Sequence, residues 1–465
     1  MKNNIIKLIP LLFVLISVLI GTVKFSIPIE FILIIGIVLS CIIARMENYK
    51  WEEITNAMIK KITDTHIAIF IFLLIGVIAG TWIYSGTIPM LIYYGIKFIH
   101  PSFIPLTAFI ITSLLSIFTG TSWGSVATAG VAFIGIANAT GASLPLIAGA
   151  IISGAYLGDK NSPMSDTTVL ASIGAGTTIQ NHIKSMLVNT IPSAIIAIIL
   201  FTILGLQFKA NNIENVKETT DILNSLDAIF NFNILLLIPP IFVLIASIKG
   251  LSPIITMFSG SIIAIILGMI FQDFGFVNAT KSFVTGFNTS MINKEITTIP
   301  DILSILLNRG GMSSMMSSVL FLILALTYGS LLQSIGTLDT LIKILLKTIK
   351  GVRSLIITTW FSIFIINSAL SSLQFLFITI GAVLKDVYKK YDVDLGILSR
   401  TMEEGGTLTE VLLPWSITGM YMTATLGVPT LQYLPYSFFN LSGVVLSFLF
   451  ALFLPLSSFK NKENI

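Results

Sequence analysis

Eight stretches of this chain run for ~18 residues or more almost without a charge: 8–23, 67–84, 103–136, 186–206, 232–248, 312–332, 411–431 and 433–456. As α-helix, a stretch of that length crosses the ~30 Å hydrocarbon layer of a bilayer. Charged residues make up 10% of the 465, against about 25% in soluble domains. Strands of an outer-membrane barrel would alternate polar and apolar residues, and these continuous runs do not. The expected fold class is an all-α polytopic membrane protein. The N-terminus, MKNNIIKLIPLLFVLISVLIG, has no clear small-x-small cleavage site, and a second apolar segment follows at once, so a retained first helix is expected.

Polar breaks between the runs place helices near 5–22, 26–45, 65–84, 87–99, 103–118, 144–158, 186–206, 232–248, 252–271, 312–333, 353–366, 368–384, 411–427 and 433–456. With shorter pieces set aside, about 11 of these are transmembrane spans, and the others are re-entrant hairpins or broken helices. Residues 207–231, with Glu214, Lys217, Glu218, Asp221 and Asp227, read as a polar linker between a first half (1–206) and a second half (232–465). Residues 273–309 read as an amphipathic segment at the membrane surface. Three basic clusters mark the cytoplasmic side and put both termini there: Arg45, Lys50, Lys60 and Lys61; Lys343, Lys347, Lys350 and Arg353; and Lys460 with Lys462.

The halves echo one another. FTGTSWGSVATAG (118–130) followed by GDKNSPMSDTTVL (158–170) is matched by INSALSSLQFLFITIG (366–381) followed by RTMEEGGTLTEVLLPW (400–415), an offset of about 245 residues. Each half pairs a small, hydroxyl-rich segment with a later acidic break, the pattern of a two-fold inverted repeat with broken helices at mid-membrane.

Unpaired N–H and C=O groups are not tolerated in lipid, so a break at membrane depth lines a cavity or is buried in protein. In GDKNSP, Pro163 donates no hydrogen bond and biases Ser162 away from helical angles. An unwound segment there would offer carbonyls and the hydroxyls of Ser162, Ser165, Thr167 and Thr168 around Asp159 and Asp166. Such an all-oxygen environment suits Na+ rather than a soft metal. Low dielectric favours the neutral form of a carboxyl group, so one site can hold a proton or a Na+. Asp159 beside Lys160 also suits a solvated loop, and Asp166 a helix N-cap, although a cap and an ion ligand are not exclusive.

In the second break Glu403, Glu404 and Glu410 surround Gly405–Gly406, with Arg400 three residues before Glu403 as its surface partner. Thr121 and Ser122 in TGTSWGS, and Asn367 and Ser368 in NSALSSLQ, sit among the small residues a hairpin tip needs. A single cysteine, Cys41, excludes an internal disulfide and a cysteine-based metal site. His66, His100 and His182 are scattered without metal-ligand spacing. There is no basic tract for nucleic acid, no glycine-rich nucleotide loop and no large soluble domain, so ATP-driven transport would need another subunit.

At SGAYLGDKNSPMSDTT (153–168) the sequence resembles the NhaC family of bacterial and archaeal Na+/H+ antiporters, which carry a GAYFGDKxSPLSDTT-like motif after a GTSWG segment. It is similar to that family also at NRGGMSSM (308–315), LSRTMEEGGTLTEVLLPW (398–415) and YLPYSFFNL (433–441). The resemblance implies a multi-pass cell-membrane antiporter exchanging Na+ for H+, with inverted repeats, paired hairpins and elevator-like motion. Matched residue by residue, Asp159, Ser162, Asp166 and Thr167 lie in the first motif, and Glu404, Thr407 and Glu410 in the second. Asp159 and Asp166 would hold Na+. Leu157 stands where an aromatic is usual, and Glu410 with Val411 where small or hydroxyl residues are.

The resemblance implies no enzyme activity and no cofactor. Its partners are Na+, H+ and the lipid bilayer, with room for a small organic acid or amino acid and for a homodimer. Carriage of such an acid, its carboxylate met by a helix N-terminus and Arg400 or Arg309, is the alternative to plain ion exchange. An intramembrane aspartyl protease, raised by YLGD (156–159), is disfavoured because the one Tyr–Asp pair, Tyr391–Asp392, lies in a charged stretch.

Overall fold

The fold turns the usual soluble pattern inside out. In the 29-residue helix Ile179–Gln207 the buried positions are His182, Met186, Asn189, Thr190, Ser193, Ala197, Phe201 and Gly205. Its exposed positions include Leu187, Val188, Ile191, Ile195, Ile199 and Ile203. Small and polar residues pack inward and large aliphatic ones face out, as expected where the solvent is hydrocarbon.

A computed structural model describes residues 6–17, 20–21, 25, 27–64, 66–163, 165–207, 213–249, 251–292, 300–370 and 373–459. Lys460 and Lys462, two of the expected cytoplasmic markers, lie outside the described residues. The first half contains α1 (Ile9–Ser17), α2 (Ile29–Met46), α3 (Trp51–Asp64), α4 (His66–Tyr84), α5 (Thr87–Phe98), α6 (Ile104–Thr119), α7 (Val131–Thr140), α8 (Leu144–Asn161), α9 (Asp166–Ala175) and α10 (Ile179–Gln207). Then come α11 (Ile213–Ile229), α12 (Ile238–Ile248), α13 (Pro253–Phe271), α14 (Gly275–Val284), α15 (Asp301–Leu307), α16 (Met316–Ser334) and α17 (Thr337–Leu346). The last five are α18 (Val352–Leu370), α19 (Leu373–Lys390), α20 (Leu395–Gly405), α21 (Ile417–Leu426) and α22 (Phe438–Phe453).

Among the described residues five helices are long and apolar enough to cross a bilayer, or up to eight spans if each bent pair is joined. Three such pairs meet at 70°, 101° and 65°. The larger count of about 11 from the sequence includes helices around the polar breaks that are short or carry polar residues, such as α8, α18 and α21. The polar segment 207–231 contains α11, which packs against α5 and α7. Part of the segment 273–309 lies outside the described residues; the rest holds α14 and α15.

α8 is the axis of the assembly. Its residues from Leu146 to Tyr156 are all buried, as in a helix surrounded by protein. Its main neighbour is α6, and the two backbones touch. A Cβ on Gly154 would lie 2.2 Å from the Phe109 carbonyl oxygen, and one on Gly158 would lie 2.5 Å from that of Ser113. α10 and α22 close around the same helix. A second apolar core joins α9, α18, α19 and α20, including Ala171, Leu355, Ile363, Phe377, Leu384 and Leu398. The C-terminal end of α8 lies between the two cores.

Candidate ion-binding site

The chain parts one turn later than the sequence implies. Gly158, Asp159 and Lys160 belong to α8, which ends at Asn161. Ser162 is extended, with φ −85° and ψ 126°, the conformation a following proline favours. α9 starts at Asp166. Because Asp159 and Lys160 are consecutive in a helix, their side chains diverge by about 100°. Asp159 turns toward the first-half hairpin and Lys160 toward the second break.

Asp159 is buried, 3% exposed, and its Oδ2 accepts a hydrogen bond from Ser122 Oγ at 2.8 Å. Its Oδ1 has no hydrogen-bond partner. Ser122 opens the helical turn Ser122–Ser125, which is capped by Thr121, whose Oγ1 accepts from the Gly124 N–H at 3.3 Å. The Ser162 hydroxyl donates to the Ile117 carbonyl at 2.8 Å, and the Thr168 hydroxyl reaches the Asp159 and Lys160 carbonyls, each at 3.4 Å. These hydroxyls secure carbonyls that the helix ends leave open. Ser165 and Thr167 pair with each other at 3.0 Å. Asp166 is exposed at the start of α9, and its Oδ1 accepts the Thr167 N–H at 2.9 Å. It is near enough to Asp159 for each to sense the other's charge.

Glu403, Glu404 and Glu410 are all buried. The expected Arg400–Glu403 surface pair is not found: Arg400 Nε lies 3.5 Å from Glu404 Oε1, one helical turn away, and neither group is at the surface. Glu403 projects instead toward α8, where Lys160 Nζ sits 3.7 Å from its Oε2 and donates to its carbonyl at 3.0 Å. Lys160, read in sequence as compatible with a solvated loop, is fully buried. Glu404 Oε1 also accepts from Asn189 Nδ2 at 2.5 Å, and Ser193 holds the Asn189 oxygen at 2.9 Å.

After Gly406 a single turn, Thr407–Glu410, ends the helical run. Asn367 Nδ2 reaches the Gly406 carbonyl at 3.4 Å, while Asn367 Oδ1 and the Thr407 hydroxyl are buried and unpaired. Ser368 Oγ donates to the Phe364 carbonyl at 2.6 Å, and its own carbonyl accepts from Trp415 Nε1 at 2.8 Å. Residues 371 and 372 lie outside the described residues. The contact pattern of the first half recurs: Ser122 touches the break that follows it, and Asn367 does the same.

Both breaks therefore meet at the end of α8. Tyr156, one turn before Lys160, is buried in electrostatic reach of Asp159 and Glu410, beside Thr418 and Tyr433. His182 on α10 is buried near Lys160, with both ring nitrogens unpaired. Five carboxyl groups (Asp159, Asp166, Glu403, Glu404, Glu410) thus share the region with two basic side chains, Lys160 and Arg400. The acids are spread out: among the described residues no three His, Cys, Asp or Glu converge as a metal cluster. Sequence reasoning did not pick out Tyr156, Asn189, Ser193 and Thr418. Asn189 and Ser193, four residues apart inside the apolar run 186–206, carried the one available signal, a polar stripe on a membrane helix.

The model of the Na+/H+ antiporter family matches residues 4–184 and 154–453. An uncharacterized Na+/H+ antiporter of Haemophilus influenzae is 38% identical over 95% of this chain and 94% of its own length. The malate-2H+/Na+-lactate antiporter of Bacillus subtilis is 35% identical over 92% and 90%. The Na+/H+ antiporter NhaC of Alkalihalophilus pseudofirmus is 32% identical over 90% and 88%.

Proposed function

The chain belongs to the Na+/H+ antiporter family, and on that premise we propose that it exchanges Na+ for H+ at the carboxyl groups gathered around the end of α8. The observation that carries this reading is the surplus of acids over fixed cations. Lys160 sits against Glu403 and Arg400 against Glu404, and among the described residues Asp159 and Glu410, both buried, form no ion pair. A buried carboxylate without a counter-charge costs several kcal/mol, so these two groups take up a mobile cation, with the exposed Asp166 beside them. Proton and Na+ are the two on offer.

At Asp159, Na+ would meet the unpaired Oδ1 and the oxygen of Ser122, whereas a proton would neutralise the carboxylate and leave Ser122 bonded to it. Occupancy by one excludes the other, and alternation of access then couples their gradients. The recurrence of hairpin-to-break contacts in both halves supports an inverted repeat with elevator-like motion, the halves being joined through 207–231. Similarity to a malate-2H+/Na+-lactate antiporter supports, as a second reading, coupled carriage of a small carboxylate.

The test is reconstitution of the pure protein in liposomes holding a pH gradient and a pH dye. Wild type is expected to dissipate the gradient when Na+ is added. Asp159→Asn, eluting as a folded protein, is expected to lose that response altogether, and full activity in the variant would remove Asp159 from the mechanism. A strict requirement for an added carboxylate would favour the second reading.

A further inference from the structure

Away from the acids, a cavity of about 280 Å³ opens among α4, α5, α7, α15 and α21. Its wall is aliphatic, with Ile78, Ile92 and Val131 typical, and its described residues include no acid. Among them the one charged group is Arg309.

The backbone fixes this arginine in place. Arg309 precedes Gly310 and Gly311, at φ +86° and +79°, values that glycine adopts without strain. No side chain would fit there: a Cβ on Gly310 would lie 2.2 Å from the Gly80 nitrogen. Gly311 donates to the Gly76 carbonyl at 2.6 Å, and the Arg309 carbonyl accepts from Phe287 at 3.1 Å. The segment is thus clamped across α4, with the Arg309 guanidinium directed at the last turn of α21, near Gly427. Among the described residues that guanidinium has neither an ion pair nor a hydrogen bond. The Thr425 hydroxyl in the same wall is buried and unpaired as well.

We propose that this cavity is a binding site for a small organic monocarboxylate, an inference that rests on the second reading above and gives it a place away from the acids. A half-buried guanidinium with no counter-charge calls for an anion, and its planar fork matches a carboxylate in two parallel hydrogen bonds. The aliphatic walls call for an apolar body behind that carboxylate. A single cation excludes a dicarboxylate, whose second charge would lie against isoleucines. The site is distinct from the acid cluster: Thr418, beside Glu410, and Gly427, beside Arg309, are nine residues apart along α21, about 13 Å.

The experiment is ligand-observed NMR on the purified full-length protein in micelles, with 3-methylbutanoate as probe and 3-methylbutanamide and butanedioate as comparisons. Saturable binding of 3-methylbutanoate alone is expected, with a loss of at least about tenfold in affinity in Arg309→Gln and a smaller loss in Arg309→Lys. Ala424→Leu, which fills the cavity and leaves the arginine, is expected to abolish binding, and it carries the test if Arg309→Gln does not fold. Equal binding of the amide, tighter binding of butanedioate, or binding unchanged in both Arg309→Gln and Ala424→Leu would overturn the proposal. So would a phospholipid retained by wild type and lost from Arg309→Gln with no response to monocarboxylate.

Discussion

Asp159 differs from its acidic neighbours in what surrounds it. One oxygen is engaged by a hydroxyl and the other by nothing, whereas Glu403 and Glu404 face fixed cations. A hydrogen bond to a charged group contributes about 1.5–3 kcal/mol, so Ser122→Ala is expected to raise the KM for Na+ about tenfold or more in the liposome assay. An unchanged KM would show that Ser122 neither holds the carboxylate nor contacts the ion. The Lys160–Glu403 pair has a structural signature instead. Removing one partner of a buried pair costs about 3–5 kcal/mol, while replacing both with apolar groups is often neutral. Lys160→Met is therefore expected to lower the melting temperature sharply, and Lys160→Met/Glu403→Leu to recover most of the loss; additive losses would deny the coupling. At this scale the acids were legible in the sequence, since carboxyl groups flanked by apolar runs stand out. Their partners were not. Glu403 reaches Lys160 across 243 residues, and the local i,i+3 spacing pointed to Arg400 instead.

Among the elements, the contact of α6 with α8 fixes where Asp159 lies. Gly154 and Gly158 bring the backbones together, and a methyl group at Gly154 would meet both the Phe109 carbonyl and Thr112 Oγ1 at 2.2 Å. Overpacking of a tight contact costs about 1–3 kcal/mol. Gly154→Ala is expected to lower the melting temperature and slow exchange together, because Asp159 rides on the displaced helix. Gly351→Ala, where nothing lies within 4 Å, is the control and is expected to change neither. A stable, fully active Gly154→Ala would show that the helices have room to separate. Long apolar helices such as α10, α13 and α16 were legible because hydrophobic length alone specifies them. α3 and α11 were not: α3 carries Glu52, Glu53 and Lys60, α11 Asp221 and Asp227, and a helix lying along protein gives no such run. The end of α8 lies one turn beyond the expected 158 because the helix carries on through the polar residues Asp159 to Asn161, and Gly158 within it serves close packing.

Across the whole molecule, contacts far apart in sequence bring two basic clusters to one end. Lys7 pairs with Glu47 at 3.1 Å, and the Lys7 carbonyl accepts from Thr337 Oγ1 at 2.7 Å. The Tyr328 hydroxyl donates to the Pro10 carbonyl at 3.0 Å. The end of α2, with Arg45 and Lys50 close by, therefore meets the start of α17, which leads to Lys343, Lys347 and Lys350. Lysine and arginine concentrate on the cytoplasmic side of membrane proteins, so the two clusters make one consistent assignment rather than two separate ones. Cys41 is the only cysteine, so a Cys41→Ser background leaves single introduced cysteines to be read alone. Lys50→Cys and Lys350→Cys are both expected to resist a membrane-impermeant maleimide in intact cells and to react in inside-out vesicles. If one reacts from outside and the other from inside, the packing of α1 against α16 and α17 is wrong, and with it the shared end. If both react from outside, the helices stand but the orientation is reversed.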